Sequence, residues 1–261
     1  MSELLAEPAA RAGALFAVGA VAGAINVLAG GGSFLTLPTM IFLGLPPSVA
    51  NGTNRVAILV QNVGAVASFH RHRIVEWPLL GRAAIPTIVG AGLGSWAGVE
   101  IGEEAFRRIL ALLMVGVALW TIWDPLERMR GDGPGDAPSG ESTGRWRTAG
   151  LALAFLGVGF YGGFVQAGAG FLILAVTTAV GLDLVRGNAL KVALVLAYTP
   201  LALGLFAASG KVDWRLGTAL AAGNLVGGLA GVRLTVLKGH DWIKKVVTVT
   251  VVAFAIRLWI G

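Results

Sequence analysis

The sequence contains no cysteine and carries little charge. Asp, Glu, Lys and Arg make up 13% of its 261 residues, about half the share found in an ordinary soluble domain. Without cysteine there are no disulfides, thiolate metal ligands or cysteine nucleophiles. A mean hydropathy of +0.77 is difficult to reconcile with a surface that faces water, because such a surface needs charge to stay dissolved. The composition therefore favours an integral membrane protein over an unusually apolar soluble bundle.

Several functional classes lack their sequence signals. No G-x-x-x-x-G-K-[ST] loop is present, so ATP-driven transport by this chain alone is not expected. The two histidines of residues 70–73 (HRHR) are flanked by arginines, which favours a basic interfacial loop over a metal site. The 20 Lys and Arg residues fall in short clusters between apolar runs, without interleaved aromatic residues, so no nucleic-acid partner is expected. The sequence places no nucleophile, acid pair or metal cluster at membrane depth, so neither an enzyme nor a cofactor is expected.

Apolar stretches recur along the chain and predict an all-α polytopic membrane protein. Several reach the ~20 residues needed to cross about 30 Å of hydrocarbon. Two are shorter, at 34–45 and 171–182, and each follows a glycine-rich run. The stretches lie at 12–29, 34–45, 55–69, 78–99 and 105–123, and then at 148–166, 171–182, 192–208, 214–235 and 243–260.

The first stretch is expected to be a retained helix rather than a signal peptide. Glu3 and Glu7 precede Arg11, so the stretch lacks the basic start of a signal peptide.

The chain is expected to divide near its middle. Residues 124–147 are rich in Gly, Pro, Ser and charge, which is typical of a flexible linker. We therefore predict an N-terminal membrane repeat over 1–123, the linker over 124–147, and a C-terminal membrane repeat over 148–261.

The two halves are similar to each other in sequence. Most matching positions lie 137 residues apart, an offset that chance would rarely repeat. The register slips within 46–70, so the counterpart of Asn188 is either Asn51 or Asn54. The matches are Ala29-Gly30-Gly31-Gly32 with Ala167-Gly168-Ala169-Gly170, Gly44-Leu45 with Gly181-Leu182, Val75-Glu76-Trp77 with Val212-Asp213-Trp214, Gly90 and Gly94 with Gly227 and Gly231, and Arg107-Arg108 with Lys244-Lys245.

The odd number of segments in each half predicts inverted repeats. Five segments place the halves in opposite orientations, whether every segment crosses the membrane or the first two form a re-entrant pair. With the N-terminus outside, 13 of the 20 Lys and Arg residues fall on the inner side, as the positive-inside rule requires. A parallel arrangement of four plus four segments gives a nearly even split.

The glycine-rich breaks before the short segments predict a binding site. Inverted repeats with paired, glycine-interrupted helices point to a transporter site near the midplane of the membrane. A helix that begins inside the membrane presents backbone N–H groups and a partial positive charge, which suit an anion. Residues 30–33 (GGGS) would form one such start with Ser33 as the N-cap, and 168–170 (GAG) the other with Gln166 adding an amide. The alternative is that these glycines only permit close helix crossing.

A second polar cluster lies at the start of the next apolar stretch in each half. Residues 51–55 (NGTNR) and 187–191 (GNALK) each combine amides with one cation. Amides buried in lipid need partners, and a substrate oxyanion would be one. The alternative is that an Asn or Thr caps the helix while Arg55 and Lys191 extend to lipid headgroups.

Other polar residues in the apolar stretches have two open interpretations. Gln61, Asn62, Tyr198, Thr199 and Asn224 either touch substrate or form hydrogen bonds with neighbouring helices.

Two acids each precede a tryptophan. Glu76 and Asp213 are either proton carriers or, as Trp77 and Trp214 favour, part of an interfacial belt. No acid stands out within the apolar stretches, so the energy source stays open.

The motifs together resemble the TauE/SafE family of sulfite and sulfonate exporters. They are GAxxGxxNxLxGGGSFLTLP and GLPPxxANGTNR in the first half, and GFVQAGAGF, GNALKV, VDW and GNLVGGLAGVRL in the second. The similarity runs from about Gly13 to Trp259 and is interrupted only by the central linker. The combination is specific to the family, although no single motif would be.

The resemblance implies a multi-pass protein of the bacterial inner membrane that transports a small anion, often one containing sulfur. The second half has Gly187-Asn188 where the motif has a threonine, so a symmetric pair of threonines is not expected. The substrate-binding residues predicted from the motifs and the breaks are Gly30, Gly31, Gly32, Ser33, Asn51, Thr53, Asn54, Gln166, Gly168, Gly170, Asn188 and Lys191.

The leading expectation is a secondary carrier, acting as an exporter, for sulfite, a sulfonate or a related organic acid. The alternatives are a non-transporting membrane scaffold or regulatory partner, and an anion channel. The expected partners are the lipid bilayer and a small anionic substrate, with no cofactor and no metal. Coupling to a proton or a sodium ion and assembly into a homo-oligomer stay open.

Overall fold

The computed structural model describes residues 8–28, 30–123 and 144–260, and every regular element in this part of the chain is an α-helix. This confirms the predicted all-α class. Among the described residues, three helical stretches are long and apolar enough to cross a membrane, namely Ala9–Leu28, Leu184–Ala208 and Trp214–Leu237. The helices are α1 (Pro8–Leu28), α2 (Ser33–Phe42), α3 (Pro47–Arg71), α4 (Trp77–Glu100), α5 (Glu103–Trp123), α6 (Gly144–Phe164), α7 (Ala169–Ala179), α8 (Leu184–Ala208) and α9 (Trp214–Ile260).

The third helix of each predicted half has the same length and polar start. Helices α3 and α8 both contain 25 residues, and their first residues, Pro47 and Leu184, lie 137 positions apart. Asn51 and Asn188 are therefore each the fifth residue of a helix, which identifies Asn51 as the positional counterpart of Asn188. Because both helices begin before the apolar stretches, the polar clusters lie within them. Asn51 and Thr53 are thus not N-caps.

Two boundaries differ from the sequence prediction. The stretches 214–235 and 243–260 form one continuous helix, α9, because no proline interrupts the polar residues between them. Helix α6 begins at Gly144, within the predicted linker. Residues 124–143 lie outside the described residues, and the division of the chain into three parts stays a prediction.

Helix α1 packs along α9 and α4 packs along α6, each in a parallel direction. In both pairs, glycines let the backbone of one helix touch that of the other. The residue numbers rise together along each contact, which fixes the parallel direction. The contacts are Phe16 with Gly223, Ala20 with Gly227 and Ala24 with Gly231 in the first pair, and Thr87 with Gly159 and Ala91 with Gly163 in the second.

Helices α3 and α8 cross in opposite directions. Near the start of α3, Arg55 lies against Phe206 near the end of α8. Near the end of α3, Phe69 shares an apolar cluster with Val192 near the start of α8. The two helices form the centre of the packed core, because they contact both parallel pairs.

The chain reverses direction at each glycine-rich break. After α1 ends, Gly32 packs against Ala22 and Asn26, so the start of α2 lies back along α1. After α6 ends, Ala169 at the start of α7 packs against Gly162 in the same way. Both breaks therefore lie inside the bundle, where their backbone meets the core helices.

Candidate substrate site

The two glycine-rich breaks touch each other. A Cβ built on Gly170 would lie 2.5 Å from the Cα of Gly30, which leaves no room for any side chain. Gly30 also has a φ of 94°, in the left-handed region that favours glycine. On one side of this contact the rings of Phe34 and Phe171 stack with their centroids 6.3 Å apart. The structure thus brings together the two breaks that the sequence singled out.

A small cavity lies beside this contact. Among the predicted residues, Gln166, Gly170 and Lys191 line it. The volume open to the centre of a water molecule is about 10 Å³, so the cavity holds roughly one water. The site is therefore closed more tightly than an oxyanion requires. The other lining residues are Asn26, Ile58, Asn62, Ala169, Val192, Val195 and Tyr198.

Three lining side chains carry polar atoms that have no hydrogen-bond partner among the described residues. They are the amide of Gln166, the amide nitrogen of Asn62 and the hydroxyl of Tyr198, and all are buried. The Tyr198 hydroxyl lies beside the Gln166 side chain without reaching a hydrogen bond of good geometry. Buried polar groups are almost always paired, so these atoms indicate a place for water or a polar ligand.

Lys191 binds the end of α1. Its Nζ donates to the carbonyl oxygens of Asn26 at 2.9 Å and Val27 at 2.8 Å, and to Oδ1 of Asn188 at 2.7 Å. The amide nitrogen of Asn188 donates to the carbonyl of Leu28 at 3.1 Å. The last carbonyls of a helix lack intrahelical partners, and a cation is favourable there. Asn188 and Lys191 are called the α1 clasp below.

Arg55 binds the end of α6 in a similar way. Its Nη1 donates to the carbonyl of Gly162 at 3.2 Å, and its Nη2 donates to the carbonyl of Gly163. The amide nitrogen of Asn51 donates to the carbonyl of Phe164 at 2.9 Å. Asn51 and Arg55 are called the α6 clasp below.

The two clasps cross between the predicted halves. Helix α8 holds the end of α1, whereas α3 holds the end of α6. Lys191 lines the cavity, but Arg55 lies away from it with its guanidinium carbon 4.5 Å from the ring centre of Phe206. Both cations are buried, so the interpretation that they extend to lipid headgroups is wrong. No Asp or Glu is buried among the side chains that the structure describes, so the interior carries excess positive charge.

Ser33 and Asn54 connect α2 to α3. The amide nitrogen of Asn54 donates to the Ser33 hydroxyl at 2.9 Å, and the Thr36 hydroxyl donates to Oδ1 of Asn54 at 2.7 Å. The prediction that Ser33 is an N-cap is wrong. Gly32 occupies that position and no side chain caps the helix, because the Ser33 hydroxyl is held by Asn54 instead.

The remaining predicted residues support the breaks or join helices. Gly31 packs against the ring of Phe171, and Gly168 adopts a φ of 77° just before α7. The Thr53 hydroxyl accepts a hydrogen bond from the backbone N–H of Asp213 at 2.8 Å. These residues and the Ser33–Asn54 pair are not among those that line the described cavity. They therefore position the site rather than face it.

Sequence comparison matches residues 15–258 to the family model described as "Sulfite exporter TauE/SafE". The chain belongs to the TauE/SafE family.

Several relatives of this TauE/SafE chain have names that agree with a membrane transporter. The "Probable membrane transporter protein YfcA" of Escherichia coli strain K12 is 29% identical over 250 residues, covering 94% of this chain and 88% of the relative. The "Probable membrane transporter protein" of Haemophilus influenzae is 27% identical over 239 residues, covering 90% and 89%. The "Probable membrane transporter protein ORF9" of Sinorhizobium sp is 29% identical over 245 residues, covering 94% and 90%. No solved structure matches the chain.

Membership in the TauE/SafE family, together with the apolar helices, places the protein in a bacterial membrane. The names of the family and of these relatives describe membrane transporters rather than enzymes. The part of the TauE/SafE chain that the structure describes contains no cluster of His, Cys, Asp and Glu able to hold a metal ion.

Three polar lining residues of the TauE/SafE site are absent from the set predicted from the sequence. For Asn62 and Tyr198 the sequence leaves open a contact with substrate or with a neighbouring helix, and it does not distinguish Asn26, although the GAxxGxxN motif contains that residue. The available signal for Asn26 was its place one turn before a glycine-rich break. By contrast, Asn224 donates to Gln61 at 3.1 Å, as the helix-contact interpretation predicts.

The two acids beside tryptophans lie at the ends of helices. Glu76 pairs with Arg186 at 3.0 Å and is partly exposed, while the Asp213 carboxylate accepts from the backbone N–H of Leu216 at 2.9 Å and caps α9. Neither residue lines the cavity, which supports the interfacial interpretation over proton carriage.

Proposed function

We propose that the protein is a secondary carrier that exports a small oxyanion, namely sulfite, a sulfonate or a related organic acid, from the cavity beside Gly30 and Gly170. The observation that carries the proposal is the chemistry of the cavity. Asn62, Gln166 and Tyr198 offer buried donors without partners, and Lys191 adds a cation. An oxyanion would accept these hydrogen bonds and offset the charge.

The same arrangement explains why a neutral or cationic solute is a poorer guest. Charge interactions are strong in a low-dielectric interior, and both buried charges described, Arg55 and Lys191, are positive. Hydrogen bonds to a charged group are also roughly twice as strong as neutral ones. A small anion therefore gains more from this site than a neutral molecule of the same size.

We also propose that the halves are inverted repeats and that the N-terminus faces outward. The opposite directions of α3 and α8, which begin 137 positions apart, support the inversion. Because the cavity holds only about one water, it represents a closed state, and substrate would enter when one half rocks against the other. The crossed clasps join the ends of the helices that such a motion would move.

Transport measurements on reconstituted protein test the proposal. Proteoliposomes loaded with radiolabelled sulfite or a taurine-derived sulfonate should release label in a saturable way, and Gln166→Leu should raise the concentration needed for half-maximal rate. Thr39→Val is a suitable control, because the Thr39 hydroxyl bonds only the carbonyl of Leu35 within α2. Unitary currents without saturation would indicate a channel. Folded protein that moves no tested anion would exclude a carrier for these anions.

A further inference from the structure

We propose that Lys191 carries a proton together with each anion, so that the cavity beside Gly30 and Gly170 transports the two as a pair. This inference rests on the anion-carrier function proposed above and adds the identity of the coupling ion.

The first argument is the difference between the two clasps. Each clasp sets one amide and one cation against the last carbonyls of a helix, but Arg55 supplies the cation in one and Lys191 in the other. A guanidinium stays protonated in proteins, whereas a buried lysine amine can release its proton. The cation that can release a proton is the one that lines the cavity. The fixed cation lies outside it against Phe206.

The second argument is the missing counter-charge. The Lys191 ammonium has three oxygen acceptors at 2.7–2.9 Å, and none of them is a carboxylate. A helix C-terminus supplies only about half of a negative charge, and a buried ion without full compensation is unfavourable. An oxyanion in the cavity supplies the rest. Anion and proton therefore each favour the binding of the other, since such coupling is reciprocal.

Among the groups that the structure describes around Lys191, none is a carboxylate or a second amine that could carry the proton in its place. The facing groups are Asn26 and the Val27 carbonyl from α1, Ile58 and Asn62 from α3, Gln166 from the turn before α7, and Ala169 and Gly170 from α7. On α8 itself the only other ionisable residue lining the cavity is Tyr198, which lies near Arg55. Helices α4, α6 and α9 contribute no buried charged side chain among those that the structure describes.

Release of the proton would also loosen the α1 clasp. A neutral amine has two N–H donors, so one of the three oxygens that now bind Lys191 would lose its donor. The proton passes to water, for which the cavity has room. When the anion and the proton leave together, the end of α1 is therefore held less firmly. The end of α6 is unaffected, because Arg55 keeps its charge.

Proton coupling can be tested in vesicles that enclose a pH-sensitive dye. The probe is 2-hydroxyethanesulfonate, a strong-acid anion that carries no proton of its own near neutral pH. Its uptake should acidify the vesicle interior for the wild-type protein. For Lys191→Arg, the pH change per labelled sulfonate exchanged should fall to that of protein-free vesicles, because a guanidinium does not release its proton. Arg186→Lys, on the surface beside Glu76, should behave as the wild type.

The outcomes separate this inference from the proposed function. Sulfonate uptake by the wild type without acidification, or acidification that persists in Lys191→Arg, would overturn the proton role and leave the carrier in place. No movement of any anion by folded protein would remove both. If Lys191→Arg does not fold, the inference is tested by the rise in unfolding temperature that sulfonate gives the wild type. This rise should become smaller as pH increases, because the anion binds the protonated amine. An equal rise at every pH would overturn the inference.

Discussion

The Cα of Gly30 and the backbone of Gly170 are in contact, so a Cβ on either residue would fall 2.5–2.6 Å from the other. This contact joins the two breaks, and Gly170 also lines the cavity. The break that contains Gly30 begins where the α1 clasp ends, at the carbonyl of Leu28. The geometry of the site therefore depends on two backbone segments that pack directly against each other, without room for a side chain between them.

Gly170→Ala should destabilise the protein far more than Gly44→Ala. Gly44 has a φ of 96° with nothing within 4 Å of an added Cβ, so its substitution costs only the left-handed strain of about 1–2 kcal/mol. At Gly170 the added methyl meets backbone, which cannot move aside, so we expect a cost at the upper end of the about 1–3 kcal/mol typical of overpacking, or above it. Thermal unfolding of the purified variants in detergent measures the difference. Equal losses would show that the breaks do not touch.

Arg55→Met should lower the stability more than Arg186→Met. The first change leaves the carbonyl of Gly162 without its donor in the interior, whereas the carbonyl of Gly163 keeps a hydrogen bond from the Ser95 hydroxyl. An unsatisfied buried group costs about 1–3 kcal/mol. The second removes an exposed ion pair with Glu76, which is worth about 0–1 kcal/mol. Each variant loses one guanidinium group, so the difference between their unfolding temperatures measures the effect of burying that group. A larger loss at Arg186 would contradict the role of the α6 clasp.

The sequence is sufficient to predict the all-α class, most of the helices and both glycine-rich breaks. The breaks before 34–45 and 171–182 could be predicted because runs of glycine interrupt helices for local reasons. The recurrence of such a run in the second half indicated that the two breaks form a pair. The gap between the apolar stretches 214–235 and 243–260 predicts a helix boundary, and this prediction is wrong. The residues of this gap contain no proline, and α9 continues through them.

The partners of the polar residues could not be predicted, because they lie far away in the chain. Asn188 and Leu28 are 160 positions apart, and no spacing rule tells which helix end an amide will meet. Ser33 is a case in which a distant contact overrides a local preference. Its local preference is to cap a helix, but packing of α2 on α3 places its hydroxyl against Asn54 instead. Lys191 is a predicted site residue, but the sequence does not predict its two carbonyl acceptors at the end of α1.

Tyr198→Phe and Thr199→Val each remove one buried hydroxyl, at adjacent positions. The first should weaken anion binding, whereas the second should lower stability. The Tyr198 hydroxyl has no partner among the described residues, so its removal should leave stability unchanged or raise it. Its loss should weaken anion binding by about 10- to 100-fold, since a hydrogen bond to a charged group is worth about 1.5–3 kcal/mol. The Thr199 hydroxyl bonds the Val195 carbonyl at 2.6 Å within α8.

Thr199→Val should accordingly cost about 1 kcal/mol of stability and leave the concentration for half-maximal transport unchanged. Transport titrations and thermal unfolding of both variants provide the two readouts. Matching affinities for the two variants would show that the Tyr198 hydroxyl does not face the substrate.

Cysteine labelling should place the ends of α3 and α8 on opposite sides of the membrane. Arg71 and Ala208 are the last residues of these helices, 137 positions apart, and both are exposed. The chain has no cysteine, so Arg71→Cys and Ala208→Cys each introduce a single reactive thiol. With inverted repeats and the N-terminus outside, an impermeant maleimide should label Ala208→Cys in intact cells and Arg71→Cys only after permeabilisation. The reverse accessibility would keep the inversion and reverse the orientation. Labelling of both from one side would require parallel repeats, in which equivalent helix ends share a face, and would contradict the opposite directions of α3 and α8.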